Sequence, residues 1–168
     1  MSRARITIRP ANGDDHECLT ALFHAIEVHY WGDAAPARAA IAEHVARDVL
    51  PSGCEMLIAE REGIAVGLIT FTVLYPAPNL GGQLMMKDLF VVDAARGDGV
   101  GRIMLEHLAW IAVKRGCVRL DWTAETDNPR ALAFYDRLGA KRVTEKVYFR
   151  LDGDSLSEMA AGGATKSA

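Results

Sequence analysis

The seven residues Arg96-Gly97-Asp98-Gly99-Val100-Gly101-Arg102 constrain this chain more than any other stretch. They join an alternating apolar run ending at Val92 to a helical pattern that reaches Arg115, and so predict a tight strand-to-helix turn. Glycine permits positive φ and leaves backbone N–H groups uncovered, while the helix start adds the positive end of the peptide dipole. That combination cradles a diphosphate, and Arg96 and Arg102 are candidates for charge-assisted contacts to it.

Three phosphate-binding patterns compete for the segment. A Walker loop ends in Gly-Lys-Ser/Thr, whereas this one ends Gly101-Arg102-Ile103. A dinucleotide GxGxxG fails at Arg102 counted from Gly97 and at Met104 counted from Gly99, although Asp121 stands near the place of a ribose ligand. The third pattern, Arg/Gln-x-x-Gly-x-Gly/Ala, is met by Arg96, Gly99 and Gly101. Glycines chosen for turn geometry alone are the competing reading of so short a match.

Periodicity around the turn predicts an α/β domain. Arg5–Arg9 alternates as a strand, and Asn12-Gly13-Asp14-Asp15 supplies turn and N-cap residues. A helix follows to Trp31, with Leu19, Leu22, Phe23, Ile26 and Tyr30 at helical spacing, then a second from Pro36 to Leu50. Glu55–Arg61 and Ile64–Tyr75 read as antiparallel strands about Glu62-Gly63, and Gln83–Val92 as a third long strand. After the glycine turn comes a helix closed by Lys114, Arg115 and Gly116, and Val118–Trp122 completes a βαβ unit. A last helix runs from Asn128 to Gly139, Lys141–Leu151 predicts one or two closing strands, and residues 161–168 a frayed tail. Residues 1–160 are expected to form one domain.

Half of the residues are hydrophobic and 24% are charged, which suffices for a core, and the net charge of -3 gives no basic footprint for nucleic acid. Cys18, Cys54 and Cys117 are scattered without a CxxC pair, so reduced thiols and a cytoplasmic protein are expected. No apolar run approaches the ~18 residues of a membrane span. His44 and Asp48 sit four apart as many solvent-facing pairs do, and no metal site is expected.

Leu89-Phe90-Val91 followed by Arg96–Gly101 closely resembles motif A of the GNAT acetyltransferase superfamily, and Asn128-Pro129-Arg130-Ala131-Leu132-Ala133-Phe134-Tyr135 through Gly139-Ala140 looks like its motif B. The resemblance is strongest over residues 83–152. It implies the GNAT fold: a mixed, mostly antiparallel twisted sheet of six or seven strands flanked by four or five helices. It also implies acetyl-CoA as acyl donor, a homodimer, and acetyl transfer to a small primary amine by direct attack on the thioester. Cofactor contacts would then fall on Leu89, Phe90, Val91, Arg96, Gly97, Asp98, Gly99, Val100, Gly101, Arg102, Asn128 and Arg130. The main chain of Leu89 and Val91 would hold the pantetheine arm, the N–H groups of Gly97–Arg102 the pyrophosphate, and Tyr135 would stand by the sulfur.

The residues agree with these roles. Asn128 is a good N-cap ahead of Pro129, and Ala131, Phe134, Tyr135 and Leu138 follow the spacing of one helix face. A phenol can donate the proton that a departing thiolate needs, and a strand N–H, that of Leu89, can stabilise the oxyanion. The attacking amine must lose a proton; Asp88, Glu125, Asp127, Glu27, His29 or a water chain are the candidates. Met85–Val91 and Tyr148–Leu156 are similar to the diamine and polyamine branch of the family. Lys87 departs from it, because that branch commonly carries glutamate there. Strand alternation sets Lys87 on the face of Leu89 and Val91, opposite Asp88 and Phe90. A protein N-acetyltransferase and a non-catalytic CoA-binding sensor are the alternatives.

Overall fold

Glu62 and Gly63 both adopt left-handed backbone, φ 53° and 78°, as a two-residue hairpin of type I′ requires. They turn β2 (Glu55–Arg61) into β3 (Ile64–Leu74). A computed structural model describes residues 5–164. In it β1 (Ile6–Pro10), β2, β3, β4 (Gly82–Val91) and β5 (Cys117–Asp121) form one sheet in sequence order. Neighbours are antiparallel except β4 and β5, which are parallel.

Each face of the sheet carries its own layer. Leu19, Leu22 and Ile26 of α1 (His16–Trp31) and Ile41 of α2 (Arg38–His44) pack on Met56, Ile58, Leu68 and Phe90. A short π-helical stretch, Val45–Val49, extends α2 and adds Val45 to that core. On the opposite face lies α3 (Val100–Lys114), which buries Val100, Met104, Leu105, Leu108 and Ala112. Gly67 marks how closely it lies: a Cβ there would come 2.8 Å from the Met104 sulfur and 3.0 Å from the Phe90 carbonyl oxygen.

The chain divides into two compact units, one through Glu125 and one from Thr126. The sheet and α1–α3 belong to the first. The second carries α4 (Pro129–Arg137) and α5 (Gly153–Ala164). Among the described residues the sheet thus has five strands rather than six or seven, and residues 141–152 form none. Alternating apolar residues mark a face, but a strand exists only where a ladder partner takes its backbone groups. Helix α5 runs to Ala164 through residues 161–164, where the sequence predicts a frayed tail, and residues 165–168 of that tail lie outside the described residues.

Arg9 ties β1 to the start of α1. Its guanidinium takes both oxygens of Asp15, at 2.7 and 2.8 Å, and Glu60 of β2 at 2.8 Å. Asp15 is buried and also accepts the Asn12 N–H at 2.8 Å. The Arg9 hydrogen bonds, opposed by burial and aided by the Asn12 N–H, hold the Asp15 carboxyl below the usual carboxylate range. A carboxyl depressed by folding stabilises the fold above its unfolded pKa of ~3.9, and that contribution disappears as pH falls through the folded value. Asp15→Asn is expected to lower stability at pH 7 by about 2 kcal/mol in urea unfolding. The gap to wild type should close once the pH drops below the carboxylate range.

Candidate active site

Strand β4 breaks its alternation at Lys87. Met86 pairs with Phe71 and Asp88 with Thr70, so Lys87 is an extra residue, a β-bulge. Phe71 and Ile69 share the α3 face, and their partners Met86 and Leu89 therefore share it too, although three residues apart. Asp88 and Phe90 partner Thr70 and Leu68 on the face that carries α1 and α2, and the extra residue Lys87 has no partner on β3, so simple alternation does not carry across it. Lys87 is 81% exposed and its Nζ lies 3.8 Å from Asp88 Oδ1. Thr70, itself buried, donates its hydroxyl to Asp88 Oδ2 at 2.5 Å and accepts the Asp88 N–H at 3.1 Å. One carboxylate is thus fixed immediately before Leu89.

Beyond the bulge β4 opens on its other side. β5 pairs only with Gly82–Met85, so from Met86 to Val91 no strand lies on that edge among the described residues. A free strand edge offers N–H and C=O groups to an extended ligand. The opening leads to the glycine turn. Gly97 and Gly99 have φ of 88° and 85°, and a Cβ on either would meet nothing within 4 Å. Gly99 is the N-cap of α3. Among the described residues no well-formed hydrogen bond engages the N–H groups of Gly97 to Arg102. Uncovered donors, a helix start and open space above fit the diphosphate of a CoA-type nucleotide.

Each charged side chain of the turn has a partner within the protein. Arg96 Nε donates to the Val91 carbonyl at 2.8 Å, its Nη1 lies 2.6 Å from Asp93, and its guanidinium stands 5.6 Å from the Phe90 ring centroid. It fastens the loop to the end of β4. Arg102 pairs with Glu106 one turn on, at 2.8 Å. Asp98 would repel a phosphate, but Arg61 from β2 binds its carboxylate at 2.7 Å. Val100, the first residue of α3, is buried, and Gly101 follows it in the helix.

In the second unit Asn128 caps α4 as its sequence predicts, its side-chain oxygen accepting the Ala131 N–H at 3.0 Å. Pro129 opens the helix and Arg130 is exposed. Ala131, Leu132, Phe134, Tyr135 and Leu138 are half-buried, and the Phe134 and Tyr135 rings lie 5.1 Å apart, centre to centre. Asp127 and Asn128 are exposed.

The candidate bases separate by place. Asp88 is on β4 itself. His29, exposed near the end of α1, has its ring 6.1 Å from that of Phe90, and Glu27 is half-buried on the same helix. Glu125 is exposed after β5. Four side chains around the site were not singled out from the sequence for it: Arg61, Thr70, Gln83 and Arg119. Thr70 and Arg61 reach their partners across 18 and 37 residues, through strand register or loop packing, and carry no local motif.

The fourth strand thus opens an edge and runs into a glycine turn, an arrangement with room for an extended arm ending in a diphosphate. Residues 19–140 match the model of the Acetyltransferase (GNAT) family, and the chain belongs to that family. An L-ornithine N5-acetyltransferase of Arabidopsis thaliana is 31% identical over 93 residues, 55% of this chain and 41% of that protein. A thialysine N-epsilon-acetyltransferase of Bos taurus is 31% identical over 83 residues, 48% of this chain and 49% of that protein. The chain thus spans less than half the length of these relatives. An integron cassette protein from the mobile metagenome of V. cholerae superposes with a TM-score of 0.90 at 37% identity, covering 95% of this chain and 99% of that one. The aminoglycoside N-acetyltransferase AAC(6')-Iy, solved with CoA, shares the fold at a TM-score of 0.67 and 18% identity, over 90% of this chain and 98% of that one. Among the described residues no helix is long and apolar enough to cross a membrane.

Proposed function

We propose that this chain is an acetyl-CoA-dependent N-acetyltransferase acting on a small primary amine, with residues 1–160 working as one catalytic domain. The observation that carries the reading is the open β4 edge leading into the glycine turn. The named activities of the ornithine and thialysine acetyltransferases support a small amine as acceptor. Acetyl-CoA supplies the acyl group as a thioester; the rest is the work of this chain's residues.

Main-chain groups of Leu89, Phe90 and Val91 hold the pantetheine arm along β4, and the N–H groups of Gly97–Arg102 hold the diphosphate. The Leu89 N–H faces the developing oxyanion. Asp88, oriented by Thr70, attracts the acceptor ammonium and receives its proton directly or through water. Tyr135 protonates the leaving sulfur, with Asn128 and Arg130 toward the donor. Reduced cysteines, a cytoplasmic location and a homodimer complete the reading.

Release of CoA thiol from acetyl-CoA, followed with putrescine, spermidine, L-lysine, L-ornithine, thialysine and a peptide N-terminus, tests it. Turnover with at least one small amine is expected. Tight acetyl-CoA binding without turnover on the panel would replace the enzyme by a CoA sensor, and turnover confined to the peptide by a protein acetyltransferase.

A further inference from the structure

Asp98 places a negative charge in the middle of the glycine turn. It stands between two left-handed glycines, Gly97 at φ 88° and Gly99 at φ 85°, and supplies the one side chain of that three-residue stretch. Covalent geometry keeps a carboxylate there within about 8 Å of the surrounding N–H groups, roughly the Debye length at physiological salt. Unopposed, it would repel the anion that those donors attract. Its partner comes from far along the chain. Arg61 Nη2 donates to Asp98 Oδ2 at 2.7 Å, across 37 residues. Arg61 ends β2, where it pairs with Ile6 of β1 and Ile64 of β3, so its backbone is held on both sides just before the Glu62-Gly63 turn. The Arg61 side chain is 26% exposed and that of Asp98 40%, so water screens the pair only in part. Two further ion pairs flank the turn, Arg96 with Asp93 and Arg102 with Glu106, and both are local, three and four residues apart. Three guanidinium groups thus meet three carboxylates, and only the Asp98 pair draws its cation from another part of the sheet. With the side-chain charges matched, the bare N–H groups and the start of α3 are left to attract a diphosphate.

We infer that Arg61 is a positioning residue of the donor site: its guanidinium holds the Asp98 carboxylate and offsets its charge, so that the turn accepts the diphosphate of acetyl-CoA. This rests on the acetyltransferase reading above. Arg61 acts through Asp98 and not on the donor itself, and the charges give the two residues opposite effects. Without Arg61 the carboxylate stands uncompensated beside the diphosphate. Without the Asp98 carboxylate the guanidinium is released to favour the same anion. A pair that merely fastened the turn to the β2–β3 hairpin would lose its function by either change, and with the same sign.

The test titrates CoA calorimetrically into the wild type, Arg61→Gln, Asp98→Asn and the double variant, with melting temperatures alongside. Arg61→Gln is expected to weaken CoA binding about 10-fold at physiological salt, and that loss to shrink to about 2-fold in 1 M salt, where the Debye length is ~3 Å. Asp98→Asn should tighten binding about 3-fold, and the double variant should return to within about 3-fold of wild type. Arg61→Lys, which keeps the charge, should recover most of what Arg61→Gln loses. Unchanged affinity in Arg61→Gln would overturn the inference. So would a weakening in both single variants with lowered melting temperatures, which would make the pair a fastener. A loss that persists in the double variant would also overturn it, by making Arg61 a direct ligand of the diphosphate. Wild-type protein that fails to bind CoA would overturn the acetyltransferase reading itself, whereas wild-type binding with any of the other contrary results removes only the role of Arg61.

Discussion

Tyr135→Phe is expected to lower kcat about 100- to 10,000-fold while leaving acetyl-CoA affinity within a few-fold of wild type. The change deletes one hydroxyl and keeps the ring, so the half-buried packing of Tyr135 beside Phe134 is preserved. A proton delivered to the leaving sulfur matters only as the carbon–sulfur bond breaks, which places the loss in kcat rather than in donor binding. Steady-state kinetics with a saturating amine and calorimetric titration of CoA separate the two. A variant with wild-type kcat would remove Tyr135 from the chemistry and leave a water as proton source. Loss of CoA affinity in parallel with kcat would make the hydroxyl a cofactor contact instead.

Gly99→Val is expected to weaken acetyl-CoA binding by at least about 10- to 100-fold. Gly99 holds φ of 85°, where a β-branched side chain is strained by about 1–3 kcal/mol. The loop would relieve that strain by rotating its peptides, and the N–H groups of Val100 and Gly101 would no longer converge on one anion. No internal clash adds to this, because a Cβ at Gly99 meets nothing within 4 Å. The melting temperature should accordingly move by only a few degrees while CoA affinity collapses. Unchanged CoA affinity in titration calorimetry would remove the turn from the binding site.

Both predictions start from residues that local sequence already exposes. The glycine turn is legible because the strand, the left-handed glycines and the helix start are consecutive along the chain, and no tertiary contact is needed to recognise them. The same holds for the Asn128 cap and for the helix face of Tyr135, whose periods are local. The hairpin at Glu62-Gly63 was legible for the same reason.

What only the tertiary structure decided depends on pairing between distant segments. Alternation in β4 breaks at Lys87, because a bulge is set by how β4 registers on β3 and leaves no mark in β4 alone. Arg61 cancels the charge of Asp98, and Thr70 orients Asp88, through contacts that close only once the strands are aligned. Residues 141–152 carry the apolar pattern of a strand, yet a strand also needs a neighbour for its backbone, which a pattern cannot supply. The sequence by itself therefore determined the glycine turn, the helix caps and the family. Register and packing decided which side chains gather along β4, because hydrogen bonds and charges between segments depend on distances that exist only after folding.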